Sequence, residues 1–172
     1  MQVSDAIMNR RSIRKFTKKE TPEDILKEIL EAGIWAPSGS NAQPWRCILV
    51  RNSIDKIKMF SPGLFGDPSV LIVICSDRAK AEDEQGRGLG IDPVVFIDIG
   101  AAAQNMMLQA CELGLGSCPV RSFNQKALQA LLDLPDDIVP ELILALGYPD
   151  EKPQAPPRRS LEDTVCYERC GR

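Results

Sequence analysis

The sequence predicts an α+β fold in which helices flank a central sheet. Runs of apolar and β-branched residues at 47–50, 70–75 and 141–146 have the length and composition of buried strands. Apolar residues recur at helical spacing over 25–34, and a long apolar segment covers 94–111. Strands and helices mixed along 172 residues indicate one domain, 1–172, that is large enough to bury its own core.

Local signals set the expected bounds of the elements in the first half of the chain. Ser4 and Asp5 are predicted to cap a first helix that runs to about Asn9. The second is expected to have Thr21 as its N-cap and Pro22 in its first turn, and to end before Pro37. A shorter helix is expected over 53–60, between the first two strands.

In the second half, Asp92 is the predicted cap of the long helix, and Gly114 is expected to end it in a left-handed conformation. A strand over 117–121 and an amphipathic helix over 124–134 precede the last core strand. From about 149 to 172 the proline-rich chain is expected to form an irregular extension that wraps across a surface.

The apolar surface of the long helix bears on whether the protein is expected to form a dimer. Residues 94–111 leave almost no polar face, so the helix is predicted to be buried nearly all round. Small residues over 100–103 would let a second helix approach closely. A homodimer interface is one way to cover such a helix, and a purely intramolecular core position is the other.

Polar residues and three glycines fill the stretch 79–90. Gly86, Gly88 and Gly90 form G-x-G-x-G, which does not match the G-x-G-x-x-G dinucleotide fingerprint and does not directly follow a strand. We therefore expect a flexible connection near the functional site.

Charge and hydropathy argue against two classes of partner. The formal net charge is −3, whereas a nucleic-acid-binding protein needs a broad basic surface. No signal-type apolar segment follows Met1, and the run at 70–75 is too short to span a bilayer. These features predict a cytoplasmic protein without a nucleic-acid or membrane partner.

The absence of histidine excludes catalytic triads and histidine-zinc chemistry. An enzyme with this composition needs a cofactor to carry its chemistry, or must rely on Lys, Asp, Glu or Tyr. The six cysteines include no C-x-x-C pair, so we predict no metal site and expect a structural role for Cys166 and Cys170.

A basic cluster stands out near the start: Arg10, Arg11, Ser12, Ile13, Arg14, Lys15 and Phe16. Guanidiniums gathered in an acidic chain favour a bound anion, and the planar fork of arginine suits a phosphate. The alternative is an ordinary solvated basic turn.

A polar, proline-containing loop follows over residues 36–45. It contributes Pro37, Ser38, Gly39, Ser40, Asn41 and Gln43. Uncharged donors and acceptors on a stiff loop suit a polar heteroaromatic ring. The alternative is a capped connection between a helix and a strand, which uses the same residue types.

In this order and spacing, the two segments resemble the FMN-dependent nitroreductase family, whose members begin with an R-R-S-x-R stretch followed by an A-P-S-x-x-N-x-Q-P-W loop. The resemblance continues through the helix around 97–110, the glycine-rich turn at 114–118, the A-L-G-Y-P segment at 145–149 and the basic pair at 158–159. It therefore covers most of the chain.

The resemblance implies a mixed central sheet in an intertwined homodimer, with FMN at the subunit interface. It assigns to the phosphate and ribityl end Arg10, Arg11, Ser12, Arg14 and one of Arg158 or Arg159. It assigns to the flavin ring the loop residues Pro37, Ser38, Gly39, Ser40, Asn41 and Gln43, contributed by the second subunit. Beside the N5 edge it places Pro119, Val120, Arg121 and Ser122.

The implied activity is transfer of electrons from NAD(P)H, through FMN, to a nitroaromatic, quinone or flavin-type acceptor in a ping-pong cycle, without a catalytic side chain. A non-catalytic module that binds FMN or another phosphorylated ligand is the alternative. Arg121 departs from the family, which often has an acidic or small residue there. An extra cation near the ring would favour anionic acceptors.

Overall fold

A four-stranded sheet forms the centre of the molecule. The computed structural model describes residues 2–80 and 91–170, without the side chains of 91–93. In chain order the elements are α1 (Val3–Asn9), α2 (Glu23–Ile34), β1 (Trp45–Val50), α3 (Ile54–Lys58), β2 (Val70–Asp77), α4 (Ile91–Glu112), β3 (Gly116–Val120), α5 (Gln125–Leu131) and β4 (Ile138–Gly147), with 3-10 turns at Gly39–Asn41 and Arg78–Lys80.

The strands are ordered β1-β2-β4-β3, and each neighbouring pair is antiparallel. Within the described residues, the parallel component is an isolated bridge between Ser12 and Ser117 beside β3. The predicted α+β class is confirmed.

Helices cover both faces of the sheet. On one face, Ile57 of α3 and Leu128 of α5 pack with Val73, Ile143 and other strand residues. On the other face, α2 and α4 pack against the alternate residues of the same strands. Every residue of β2 is buried, because this strand lies between two others and has helices above and below it.

The predicted caps of three helices are wrong. Helix α4 begins at Ile91, so its predicted cap, Asp92, lies inside it. The N-cap of α2 is Pro22, and the Thr21 hydroxyl is buried and lies 2.6 Å from the hydroxyl of Ser69.

Helix α1 begins at Val3 with Gln2 as its N-cap. The predicted caps Ser4 and Asp5 therefore lie inside it. The other boundaries agree within a few residues, and Gly114 has the expected left-handed φ of 77°.

Helix α4 is buried on one side within this chain. Ala102 and Ala103 are buried there, so they do not offer a surface to a second helix. Phe96 and Ile97 are 47% and 69% exposed, and an added side chain at Gly100 would meet nothing within 4 Å. The prediction of burial all round is therefore wrong for the isolated chain, and close approach of a second helix is open at Gly100, next to the partly buried Ala101.

Part of α4 also has the length and composition of a membrane-spanning helix. This part is Val94–Glu112, of which 44% is buried inside the molecule. Its contacts with α2 and with the sheet are those of a core helix.

The extension after β4 contains no helix or strand up to residue 170, as predicted. A disulfide joins Cys166 and Cys170 within this extension. The predicted flexible connection over 79–90 lies, from residue 81 onward, outside the described residues.

Candidate functional site

The basic segment after α1 is fixed along the start of β3. Arg10 is the C-cap of α1, and three residues later the amide of Ile13 donates to the carbonyl of Ser117 at 2.9 Å. Arg10 is half-buried and Arg14 is exposed. These contacts hold the irregular segment against the edge strand β3 and place its guanidiniums beside the start of that strand.

The C-terminal extension is tied to the same segment. The amide of Asp150 donates to the carbonyl of Lys15 at 2.9 Å. The carboxylate of Glu151 accepts from the amides of Arg14 and Lys15, the second at 3.1 Å. These bonds direct the extension across the arginines, so that Arg158 reaches the cluster.

Two adjoining cavities separate the basic segment from the extension. The more basic one has a volume of about 410 Å³ and is lined by Arg10, Arg11, Ser12 and Arg14 on one side and by Pro156 and Arg158 on the other. The second, of about 490 Å³, shares Arg10 and Arg11 and reaches the end of α4 at Cys111. Guanidiniums gathered around a cavity fit a phosphate, because each can donate charge-assisted hydrogen bonds. Arg159 does not line either cavity.

Part of the Arg11 side chain forms hydrogen bonds that stabilise the fold. Its Nη1 atom donates to the carbonyl of Met8 at 2.7 Å and to the carbonyl of Arg10 at 2.9 Å. These carbonyls lie at the end of α1, where a cation satisfies acceptors that the helix leaves unpaired. Arg11 therefore stabilises the turn that presents Arg10 and Arg14.

Two thiols adjoin the basic cluster. Burial raises the pKa of Cys118, and Arg14, Ser12 and Arg10 oppose that rise. Burial also raises the pKa of Cys111, against the charges of Arg10 and Arg11. For both thiols, burial disfavours the thiolate more than the neighbouring cations favour it.

The polar loop adopts a constrained conformation on α4. Ser40, Asn41 and Gln43 have left-handed φ values of 51°, 56° and 49°. The Gly39 amide donates to both carboxylate oxygens of Asp98, at 3.3 and 3.2 Å. The amide of Gln43 donates to the Ser38 hydroxyl at 3.0 Å. Three strained residues in so short a loop point to a functional role, because ordinary connections avoid this cost.

Within one chain, the polar loop and the basic cluster lie at opposite ends of α4. The loop is attached at Asp98, and the cavity beside the arginines reaches Cys111. These positions are separated by 13 residues of helix, or about 20 Å at 1.5 Å per residue. The residues predicted to bind one flavin are thus split into two groups.

Residues 119–122 lie at the far end of the same edge strand as the basic cluster. From Ser117 to Arg121 the chain advances four residues, or about 13 Å. Pro119 is exposed, Val120 is buried, and the Ser122 carbonyl accepts from the Ser61 hydroxyl at 3.2 Å. The cluster and this segment therefore line one side of a single chain.

The Arg121 guanidinium does not project freely. Its Nη2 atom lies 3.5 Å from Oε2 of Glu141, whose side chain is 5% exposed. The same guanidinium lies over the Phe123 ring, 5.4 Å from its centroid. The extra cation expected at this position is therefore paired with a buried carboxylate.

The loop at residues 61–66 lies beside both the basic cluster and the segment 119–122. It was not predicted from the sequence as part of the site. A side chain added at Gly66, whose φ is +67°, would collide with the Arg14 carbonyl, and one added at Gly63 would collide with the Ser122 hydroxyl. Phe65, between them, is 54% exposed. The signal was present as a concentration of glycine and proline over 62–68, which marks close backbone approach.

Comparison with known proteins identifies the relatives of this arrangement. The sequence model described as "Nitroreductase family" matches residues 7–62 and 55–148. A protein of Methanothermobacter thermautotrophicus, provisionally named NADH dehydrogenase/NAD(P)H nitroreductase, is 33% identical over 162 residues, covering 89% of this chain and 80% of the relative.

Solved structures share the fold over nearly the whole chain. A nitroreductase family protein from Clostridium difficile superimposes with a TM-score of 0.87 at 29% identity, covering 99% of this chain and 100% of the other. A provisionally assigned nitroreductase from Desulfovibrio desulfuricans, solved in complex with FMN, gives a TM-score of 0.83 at 31% identity and covers 99% of both chains.

Proposed function

This chain belongs to the nitroreductase family, and from that premise we propose that it is an FMN-dependent oxidoreductase that passes electrons from NAD(P)H to a nitroaromatic, quinone or flavin-type acceptor. The observation that carries the proposal is the cavity between the basic segment and the extension, where Arg10, Arg14 and Arg158 converge in an acidic protein. Residues 1–172 would form one FMN-binding domain.

The arrangement supports different roles for the residues of the basic cluster and of the segment 119–122. Arg10, Arg14 and Arg158 would bind the FMN phosphate, with Ser12 beside them, and Arg11 would hold the turn. Backbone groups of 119–122 would meet the N5 edge of the ring. When bound, FMN supplies the redox chemistry, accepting a hydride and returning electrons to the second substrate.

We propose that a second copy of the chain completes the site. The polar loop is about 20 Å from the basic cluster along α4, so one chain alone would leave one of the two groups unused. Phe96, Ile97 and Gly100 form an open face on α4, near the Asp98 end where the loop is attached. Packing of two copies through this face would bury these apolar groups and give the homodimer that the family resemblance implies.

Spectroscopy and transient kinetics test this function. The purified protein, reconstituted with FMN, is expected to lose its flavin absorbance on anaerobic addition of NADH or NADPH and to regain it on addition of a quinone or nitroarene. Initial-rate lines at several acceptor concentrations are expected to be parallel, because one cleft serves both substrates in turn. A protein that binds FMN without being reduced by either dinucleotide would instead be the non-catalytic module. A cytoplasmic location stays a prediction.

A further inference from the structure

A buried carboxylate of β4, beside the residue that follows β3, has no place in the proposed function. Glu141 of β4 is 4% exposed, on the sheet face covered by α3 and α5. Burying a carboxylate is costly unless it is paired and hydrogen-bonded. This residue type at a core position of a strand therefore requires an explanation.

Three side chains converge on this carboxylate. Oε1 accepts from the Ser76 hydroxyl at 2.9 Å, and Oε2 accepts from the Gln125 amide at 3.3 Å. Arg121 is the cationic member of the group, with its Nη2 atom 3.5 Å from Oε2. Ser76 and Gln125 are neutral and themselves contact backbone carbonyls of β4, so they orient the carboxylate, and Arg121 compensates its charge.

Arg121 connects this network to the site. It directly follows β3, within the segment 119–122 assigned to the flavin edge. Its guanidinium is held between Glu141 and the Phe123 ring, although its side chain is 53% exposed. An unpaired guanidinium here would add a full positive charge beside the ring, and the buried carboxylate removes much of that charge.

We propose that the Glu141–Arg121 ion pair sets the local charge at the acceptor side of the flavin site, so that the enzyme favours neutral aromatic acceptors over anionic ones. Glu141 acts as a positioning residue through Arg121. This inference rests on the proposed function, because it concerns the acceptor of the same site.

Matched variants separate charge from structure. Glu141→Gln keeps the shape and the hydrogen-bonding capacity but leaves Arg121 unpaired, whereas Arg121→Gln leaves the carboxylate uncompensated. Asp77→Asn is the control, because Asp77 is also a buried carboxylate paired with a half-exposed arginine, Arg46, at 2.9 Å. That pair joins β2 to β1, which is the edge strand opposite β3.

The readouts are the midpoint potential of bound FMN and the ratio of kcat/KM for 4-nitrobenzoate to kcat/KM for nitrobenzene. Glu141→Gln is expected to raise the ratio about two- to fivefold, the range for a partly exposed ion pair, and to make the potential more positive. Arg121→Gln should move both in the opposite direction. The double variant should return close to wild type, and Asp77→Asn should match wild type.

Several results would overturn the inference. These are an unchanged ratio and potential in FMN-loaded Glu141→Gln, an equal shift in Asp77→Asn, or a double variant no closer to wild type than either single variant. If Glu141→Gln does not fold, Arg121→Gln decides alone, and an unchanged or raised ratio refutes the proposal. A wild-type protein that fails to bind FMN or to oxidise NAD(P)H would contradict the proposed function itself, whereas an active wild type with indifferent variants contradicts only this inference.

Discussion

The basic cluster and the polar loop differ in how much of their structure one chain supplies. The basic segment is docked on β3, and the extension comes back to it through Glu151, so that Arg158 joins Arg10 and Arg14 around a cavity. The polar loop is hydrogen-bonded to Asp98, but no contact among the described residues brings it to that cavity. The proposed phosphate site is thus assembled within one subunit, whereas the proposed ring site would depend on a second copy.

The largest loss of FMN affinity is expected from a change that prevents a second copy from bringing its polar loop to the basic cluster. Ile97→Asp places a charge on the open face of α4, where Ile97 is 69% exposed in the single chain. Burying an unpaired charge in an interface costs several kcal/mol, so the dimer should dissociate and FMN affinity should fall by about 100-fold or more. Sedimentation and flavin titration measure the two results together.

Met59→Asp is the matched control for that variant, because Met59 is an apolar residue that is 86% exposed and lies outside α4. It should keep both the assembly and the flavin. An Ile97→Asp protein that stays dimeric with full FMN affinity would exclude this face as the interface. A wild-type protein that sediments as a monomer with FMN fully bound would contradict the shared site.

A smaller effect is expected when only the phosphate half is changed. A charge-assisted hydrogen bond contributes about 1.5 to 3 kcal/mol, so Arg14→Ala should weaken FMN binding about tenfold or more without altering the oligomeric state. Arg158→Ala should behave in the same way. Arg159→Ala is the control, since Arg159 does not line the described cavities, and an equal loss there would show that general charge matters more than the cavity.

Loosening the polar loop should have a still smaller effect. Asp98→Asn weakens the acceptor for the Gly39 amide, a contact of 3.2 and 3.3 Å. One such bond contributes about 0.5 to 1.5 kcal/mol, so FMN affinity should fall about two- to tenfold. Asp24→Asn removes an exposed carboxylate of α2 and should have no effect. If Asp98→Asn weakened binding more than Arg14→Ala, the loop would be the dominant site.

Most of the fold could be predicted from local pattern. Strands such as β2 are continuous apolar runs, and α2 has clear helical spacing, so period and composition identify them. The Thr21 cap failed because a tertiary contact with Ser69 outweighed the local preference. The failure over α4 has the same origin, since the apolar sequence did not reveal which face this chain covers and which it leaves open.

The site could be predicted as a set of residues but not as a geometry. Motif and resemblance nominated Arg10 and Arg14 for the phosphate. They left Arg158 and Arg159 open, because which of the two lines the cavity depends on how the extension is tied to Lys15 and Arg14. The Arg121–Glu141 ion pair could not be predicted from the sequence either. It joins residues 20 positions apart through the register of β3 and β4, which single-sequence periodicity does not specify.

The smallest expected effect is on stability and concerns the loop at 61–66, which lies against Arg14 of the basic cluster. Lys58 contacts Asp67 at 2.6 Å, at the end of this loop, and the Asp67 side chain is 90% exposed. The hydrogen bond and charge of Lys58 hold the pKa of Asp67 below its usual value of 3.8. Its stabilising contribution is therefore present above about pH 3.8 and is lost as the pH falls through the lower folded-state pKa.

Because the pair is exposed, Asp67→Asn should lower the free energy of unfolding by only a few tenths of a kcal/mol at pH 7. The difference from wild type should shrink toward pH 3, where the wild-type carboxyl begins to take up a proton. Urea unfolding of the two proteins at both pH values measures it. Asp55→Asn is the control, since that carboxylate is 3.5 Å from the same lysine and should matter less. A loss that is as large at pH 3 as at pH 7 would assign the role of Asp67 to packing of the loop against Arg14 and not to its charge.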